Sequence, residues 1–355
     1  MGDGNRVAVL GAGAMGTALA VHSARNGAET ALLATDQDDA VVEVWRQGLP
    51  HPTLRMPFHH YVRCYPPAEW AEALPGAGLV FAAISSPGLR RVLSQAAQIG
   101  APGAVWVLAT KGWEPGTLQT PSQVAADVLG AVPVVSLAGP ALAAEILAGS
   151  PTGILCASCD QQARRRAAAA LSSPATVAFT TSDVVGAETA AAFKNVVAVA
   201  VGLAEGLSDR FSESVLVASF ANARAAVFAR GMLDMAALVG AQGGRAATVF
   251  GLAGAGDLYV TCQHGRNGRF GRLIGSGATV QGAIRSIGST VEGAANTQAA
   301  LQLAERAGID LPTARAVDLA LTRDLTGERV SDQLWELFLT VVSGSTPSPA
   351  SPPAR

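Results

Sequence analysis

In the stretch Thr189 to Leu207, TAAAFKNVVAVAVGLAEGL, a lysine and an asparagine, Lys194 and Asn195, stand inside a run of alanine, valine and phenylalanine. A helix this apolar buries most of its circumference, and a buried ammonium loses hydration that only a partner or a lowered pKa offsets. Lysine held that way serves as proton donor and acceptor. The plainer alternative is a lysine snorkelling from a core helix to water. Further along, Gly251 to Thr261 reads as a glycine-rich turn presenting Asp257, and Arg266-Asn267-Gly268-Arg269 follows it closely. An arginine beside an asparagine suits a phosphate ester, through a charged fork plus a neutral donor. A solvated basic loop is the competing reading.

A third group opens the chain. Val7 to Leu10 is a short apolar run that leads into GAGAMG, where Gly11, Gly13 and Gly16 fit G-x-G-x-x-G. The three glycines serve, in turn, a tight turn, close approach of backbone to a pyrophosphate, and close packing of the next helix on the sheet. Thr17 to Asn26 reads as that helix, with N–H groups at its start open to phosphate. The second strand, Glu29 to Ala34, ends at Thr35-Asp36. Asp36 stands where an acidic residue holds the ribose hydroxyls and repels a 2′-phosphate. No arginine adjoins it in the sequence, so the reading leans to NAD over NADP.

These residues need elements to position them. Apolar runs at 78–84, 105–109, 132–137, 153–157 and 176–179 read as further strands, with 48–68 a long irregular connection. Strand, glycine- or serine-containing turn and helix recur, which is the pattern of a Rossmann-like, doubly wound α/β sheet. Ligands of such a sheet sit at the carboxyl ends of its strands, where Lys111 and Gly139 fall. After Ser182-Asp183 strands give way to alanine-rich helical periodicity over 184–207, 214–230, 232–241, 245–250, 269–275, 279–286, 292–307 and 312–322. Thr290-Val291-Glu292-Gly293 is a helix start with an acidic first turn. We therefore expect a dinucleotide-binding domain over 1–182, an all-α substrate-binding domain over 183–342, and a disordered Pro/Ser tail over 343–355.

Composition narrows the partners. A net charge of −2 over 355 residues gives no general attraction to nucleic acid or an anionic membrane. Lys194, Asn195 and Glu205 interrupt the longest apolar run, which argues against a membrane span. No signal peptide precedes the first strand, and the expected setting is cytoplasmic. Cys64, Cys156, Cys159 and Cys262 form no disulfide framework; Cys156 and Cys159 are read as reduced core residues. His51, His59 and His60 are read as surface residues of the long connection, and no metal site is expected.

Taken together, GAGAMGTALA, ATKGWE, AGPALAAE, FKNVVA, GLAGAGDLYVTC, GRNGRFG and TVEG resemble the bacterial NAD(P)-dependent glycerol-3-phosphate dehydrogenase family, in order and spacing, over about residues 6 to 325. The resemblance implies that Lys194 is the proton acceptor in alcohol oxidation, with Lys111 and Asp257 completing the catalytic site. It assigns Arg266 and Asn267 to the substrate phosphate, with Gly139, Asn195, Thr261 and Lys111 also on the substrate. Gly11, Gly13, Ala14, Met15, Gly16, Asp36, Ala143, Arg266, Thr290 and Glu292 fall to the cofactor, NAD(P)H. A homodimer acting on a small phosphorylated substrate is implied. Ala141 and Gly265 depart from the family's hydroxyl residues, Thr35 replaces a basic or imidazole residue, and the segment 209–219 is longer than usual. Each missing neutral hydrogen bond costs about 0.5–1.5 kcal/mol, which motivates the alternative of another phosphorylated or phosphonate secondary alcohol.

Overall fold

Residues along the first strand alternate between two cores. Val7 and Val9 belong to one buried cluster, and Ala8 and Leu10 belong to the other. A strand covered on both faces reads as a continuous apolar run because neither face meets water. The computed structural model describes residues 6–58, 60–210, 220–288, 290–322 and 338–343. They form two compact units, dividing between Glu188 and Thr189.

The first unit alternates strand and helix. Its elements are β1 (Arg6–Leu10), α1 (Ala14–Arg25), β2 (Glu29–Leu33), α2 (Asp39–Arg46), β3 (Val62–Tyr65), α3 (Trp70–Ala73), β4 (Leu79–Ala82), α4 (Ser86–Ile99), β5 (Val105–Leu108), α5 (Pro121–Leu129), β6 (Val134–Ala138), α6 (Ala143–Ala148), β7 (Thr152–Ala157), α7 (Gln161–Leu171) and β8 (Thr176–Thr181). The sheet order is β3-β2-β1-β4-β5-β6-β7-β8, and only the β6–β7 pair is antiparallel. Its first six strands take the order of a dinucleotide-binding sheet, which reverses direction between β1 and β4. Residues from α1 and α7 pack on the Val9 face, and residues from α4 and α5 on the Leu10 face.

One strand falls within the stretch read as a long connection. In β3, Val62 and Cys64 are buried and Arg63 is exposed, and the strand adds to the sheet edge beside β2. Four residues with a single polar alternation are too short to stand out from proline-rich flanks.

From Val184 the described residues form no strand. The helices are α8 (Val184–Arg210), α9 (Ala221–Ala241), α10 (Ala246–Val249), α11 (Asp257–His264), α12 (Arg266–Gly275), α13 (Val280–Ile287), α14 (Glu292–Ala307) and α15 (Pro312–Thr322). Helix α8 is long and apolar enough to cross a membrane, but 89% of its most apolar window is buried within the protein, so it is a core helix. Two expected interruptions are helical instead. The break between 230 and 232 is absent because Gly231 lets α9 press against α8; a Cβ there would come within 2.2 Å of Val197. The glycine-rich turn before Asp257 is one π-helical turn, Leu252–Gly256, continuous with α11. The expected helix start at 214, most of the segment 209–219 and the tail beyond 343 lie outside the described residues.

Candidate active site

In the first unit the loop after β1 is shaped by close contact. Gly11 has φ +93°, and a Cβ on Gly16 would stand 1.9 Å from the Gly11 carbonyl oxygen, so α1 starts tight against the turn. Gly13, by contrast, is exposed and has open space where a Cβ would be. A pyrophosphate can therefore meet the backbone there, at the start of a helix containing Ala14 and Met15. The loop fits a dinucleotide.

The side chains around this loop differ from expectation in three ways. Asp36 accepts a two-pronged hydrogen bond from the Arg91 guanidinium, at 2.8 and 2.9 Å, so an arginine adjoins it in space although none does along the chain. The neighbouring Asp38 is the residue that reaches the loop: its Oδ2 accepts from the Ala12 N–H at 3.0 Å and from Thr35 N and Oγ1, each at 2.8 Å. His51, expected at the surface, is 2% exposed and bonds through Nε2 to the Ala12 carbonyl at 3.1 Å. His60 is exposed, and His59 lies outside the described residues.

At the carboxyl ends of β5 and β6, Lys111 Nζ donates to the Gly139 carbonyl at 3.3 Å. Met15, Lys111, Gly139 and Ala141 line a narrow, mostly apolar cleft with Leu19 and Ile146. Ala143, half-buried, opens α6 nearby in sequence.

In the second unit Lys194 is 5% exposed and Asp257 2%. The Lys194 ammonium donates to Asp257 Oδ1 at 2.6 Å and to Thr261 Oγ1 at 2.8 Å, and the Thr261 hydroxyl in turn donates to the Asp257 carbonyl at 2.7 Å. The lysine does not snorkel. Asp257 and Thr261 sit one turn apart on α11 and so face the amine together; Thr261, expected on the substrate, is here the lysine's partner.

A second network adjoins it in sequence. Asn195 Nδ2 donates to Glu292 Oε2 at 3.1 Å, Asn267 Nδ2 donates to Asn195 Oδ1 at 2.9 Å, and the Gly293 N–H donates to Asn267 Oδ1 at 2.9 Å. Both amides are thereby oriented, and Glu292 does more than cap α14. Arg266 is exposed in the first turn of α12, not in a loop. It lines an open, solvent-exposed cleft with Arg269, His264 and Cys262. Thr290 is exposed just before α14.

The cysteines are all free. Burial pushes the Cys64, Cys156 and Cys262 thiols up to about 12, far from the range of a reactive thiolate. Cys159 is exposed, unlike the core residue expected, because it lies in the turn after β7.

Against known proteins, residues 6–164 match the family model described as NAD-dependent glycerol-3-phosphate dehydrogenase N-terminus, and residues 183–331 match the corresponding C-terminus. A glycerol-3-phosphate dehydrogenase [NAD(P)+] of Stenotrophomonas maltophilia is 37% identical over 329 residues, 91% of this chain and 92% of the relative. One of Shewanella halifaxensis is 36% identical over 322 residues, 88% and 89% of the two chains. The crystal structure of glycerol-3-phosphate dehydrogenase from Coxiella burnetii superposes with a TM-score of 0.83 at 30% identity, covering 94% of this chain and all of that one.

Proposed function

The chain belongs to the NAD-dependent glycerol-3-phosphate dehydrogenase family, and from that premise we propose that it interconverts sn-glycerol 3-phosphate and dihydroxyacetone phosphate using NAD(P)H. The bound nicotinamide supplies or takes up the hydride. In the reducing direction the Lys194 ammonium gives a proton to the carbonyl oxygen as hydride reaches the carbon; in oxidation the neutral amine takes the hydroxyl proton as hydride leaves. Asp257 and Thr261 hold the amine, which is the observation that carries the reading, since two acceptors on one helix face fix the direction of its proton. Lys111 and Gly139 serve the substrate, and Arg266 and Asn267 its phosphate. Asn195 supports that site by orienting the Asn267 amide.

Gly11, Gly13, Gly16, Ala14 and Met15 receive the dinucleotide, with Ala143, Thr290 and Glu292 along it. With Arg91 forked onto Asp36, the ribose end offers a cation as well as a carboxylate, so both NADH and NADPH are accepted and the lean toward NAD loses its premise. The enzyme is a cytoplasmic homodimer in this reading. Absorbance of the reduced nicotinamide, followed with dihydroxyacetone phosphate and each reduced cofactor, tests it. Turnover with both cofactors is expected. A protein inert with this substrate but active on another phosphorylated secondary alcohol would replace the substrate, and one inert with all would remove the chemistry.

A further inference from the structure

The geometry points to His51 and Asp38 as a clamp on Ala12, the residue between the first two glycines of the dinucleotide loop, fixing the peptide units on both sides of it and making both side chains positioning residues for cofactor binding. Ala12 lies between Gly11 and Gly13. Its N–H is taken by Asp38 Oδ2 at 3.0 Å. Its carbonyl accepts from His51 Nε2 and from Thr17 Oγ1, each at 3.1 Å. Asp38 and His51 come from two different segments after β2, so the loop is gripped on both sides of one residue. Glycines on either flank leave the chain free to rotate, and a rotated Ala12 would turn the neighbouring N–H groups away from a pyrophosphate.

The imidazole is itself held in one state. Its Nδ1 accepts from the backbone N–H of Thr53 at 3.1 Å and of Leu54 at 3.2 Å, so the ring proton sits on Nε2, facing Ala12. The His51 backbone N–H donates to the Met56 carbonyl at 2.9 Å, and its carbonyl accepts from Arg55 N at 2.8 Å. Phe58 packs tilted against the ring, centroids 5.7 Å apart. A buried histidine with both nitrogens and both backbone groups bonded has one orientation only. That orientation delivers a donor to the loop, and pre-formed loops bind more tightly because less ordering is left to binding.

The inference rests on the dinucleotide occupying the GAGAMG loop, and its test is a binding measurement that needs no turnover. NADH is titrated against the full-length protein by nicotinamide fluorescence. His51→Phe keeps the ring packing and loses the donor; it should raise the Kd for NADH roughly tenfold, the worth of one good hydrogen bond. His51→Gln places an amide N–H near the Nε2 position and should restore affinity to within about threefold. In steady state both variants should keep kcat at saturating NADH while KM for NADH follows Kd. Asp38→Asn, which weakens the opposite grip, should raise Kd as well, and its effect should not add to that of His51→Phe because both act through one residue. An unchanged Kd in His51→Phe, failure of Gln to rescue, or a loss confined to kcat would each overturn the clamp. Should His51→Phe not fold, an unchanged Kd in Asp38→Asn overturns it equally. Wild-type protein that binds NADH but turns over no glycerol 3-phosphate would remove the proposed substrate and leave the clamp standing.

Discussion

Lys194 makes its two described hydrogen bonds to oxygen atoms on one helix, and removing the amine leaves Asp257 buried without its cation. Lys194→Ala should therefore cut kcat by about a hundredfold to ten-thousandfold, the usual worth of a positioned acid or base, while NADH affinity survives. Equal turnover in the variant would transfer the proton chemistry elsewhere. At the proposed ribose end, Arg91→Ala removes the guanidinium that pairs with Asp36; kcat/KM for NADPH relative to NADH should fall about tenfold, since charge-assisted bonds to phosphate are among the strong ones. A ratio that does not move would make Asp36–Arg91 an ordinary surface ion pair. The amine and its carboxylate were legible in sequence because each is a charge set in an apolar or glycine-dense flank. His51 was not, since nothing in a proline-rich stretch signals that its ring returns to a loop 39 positions earlier. The amide chain from Glu292 through Asn195 to Asn267 escaped for the same reason: sequence reveals the donors but not which of them bond to one another.

At the level of elements, what places Arg266 and Asn267 beside the lysine helix is a seam of glycines. A Cβ on Gly202 or Gly206 of α8 would meet the Gly268 or Arg272 carbonyl of α12 at 2.1 Å, and one on Gly271 or Gly275 would meet the Val199 or Leu203 carbonyl at 2.1 or 2.4 Å. The two backbones touch, and a methyl has nowhere to go. Gly271→Ala should lower stability by about 3 kcal/mol, the upper range for overpacking, read as a shift in the urea midpoint. A variant as stable as the parent would mean the seam can open without cost. Gly265 is under the same constraint: a Cβ there would lie 2.3 Å from the Thr261 carbonyl, so the missing hydroxyl cannot be restored by serine without moving α11 from α12. Strand runs such as Val105–Leu108 were readable because both faces are buried. Glycine misled at Gly231 and at Leu252–Gly256, where it serves close packing or a π turn and not chain reversal, and periodicity alone cannot separate those uses.

For the whole molecule, each unit carries a buried carboxyl whose proton is held more tightly than in the unfolded chain. Burial pushes Glu188 up, although hydrogen bonds from Ser122 and Ser136 pull it back. Burial likewise raises Asp234, against Thr313 and Arg230. A raised folded pKa means that stability from these groups is full below their ordinary values, 4.5 and 3.8, and is lost as pH climbs through the folded values. Glu114 works the other way: the Arg90 guanidinium holds it below its ordinary 4.5, so its contribution is present above that pH and disappears on acidification. The two kinds can be separated by Glu188→Gln, which keeps an acceptor for Ser122 N and Ser136 and gives Ser122 Oγ a donor once that hydroxyl turns. The stability of Glu188→Gln relative to the parent should then rise with pH from about 4.5 upward, by no more than about 1.4 kcal/mol per pH unit for a single proton. Melting temperatures of the two proteins across pH 4 to 8 read this directly. A difference that stays flat would show that Glu188 ionises as an ordinary carboxylate despite its burial, and a difference that falls would mean that its serine hydrogen bonds outweigh desolvation.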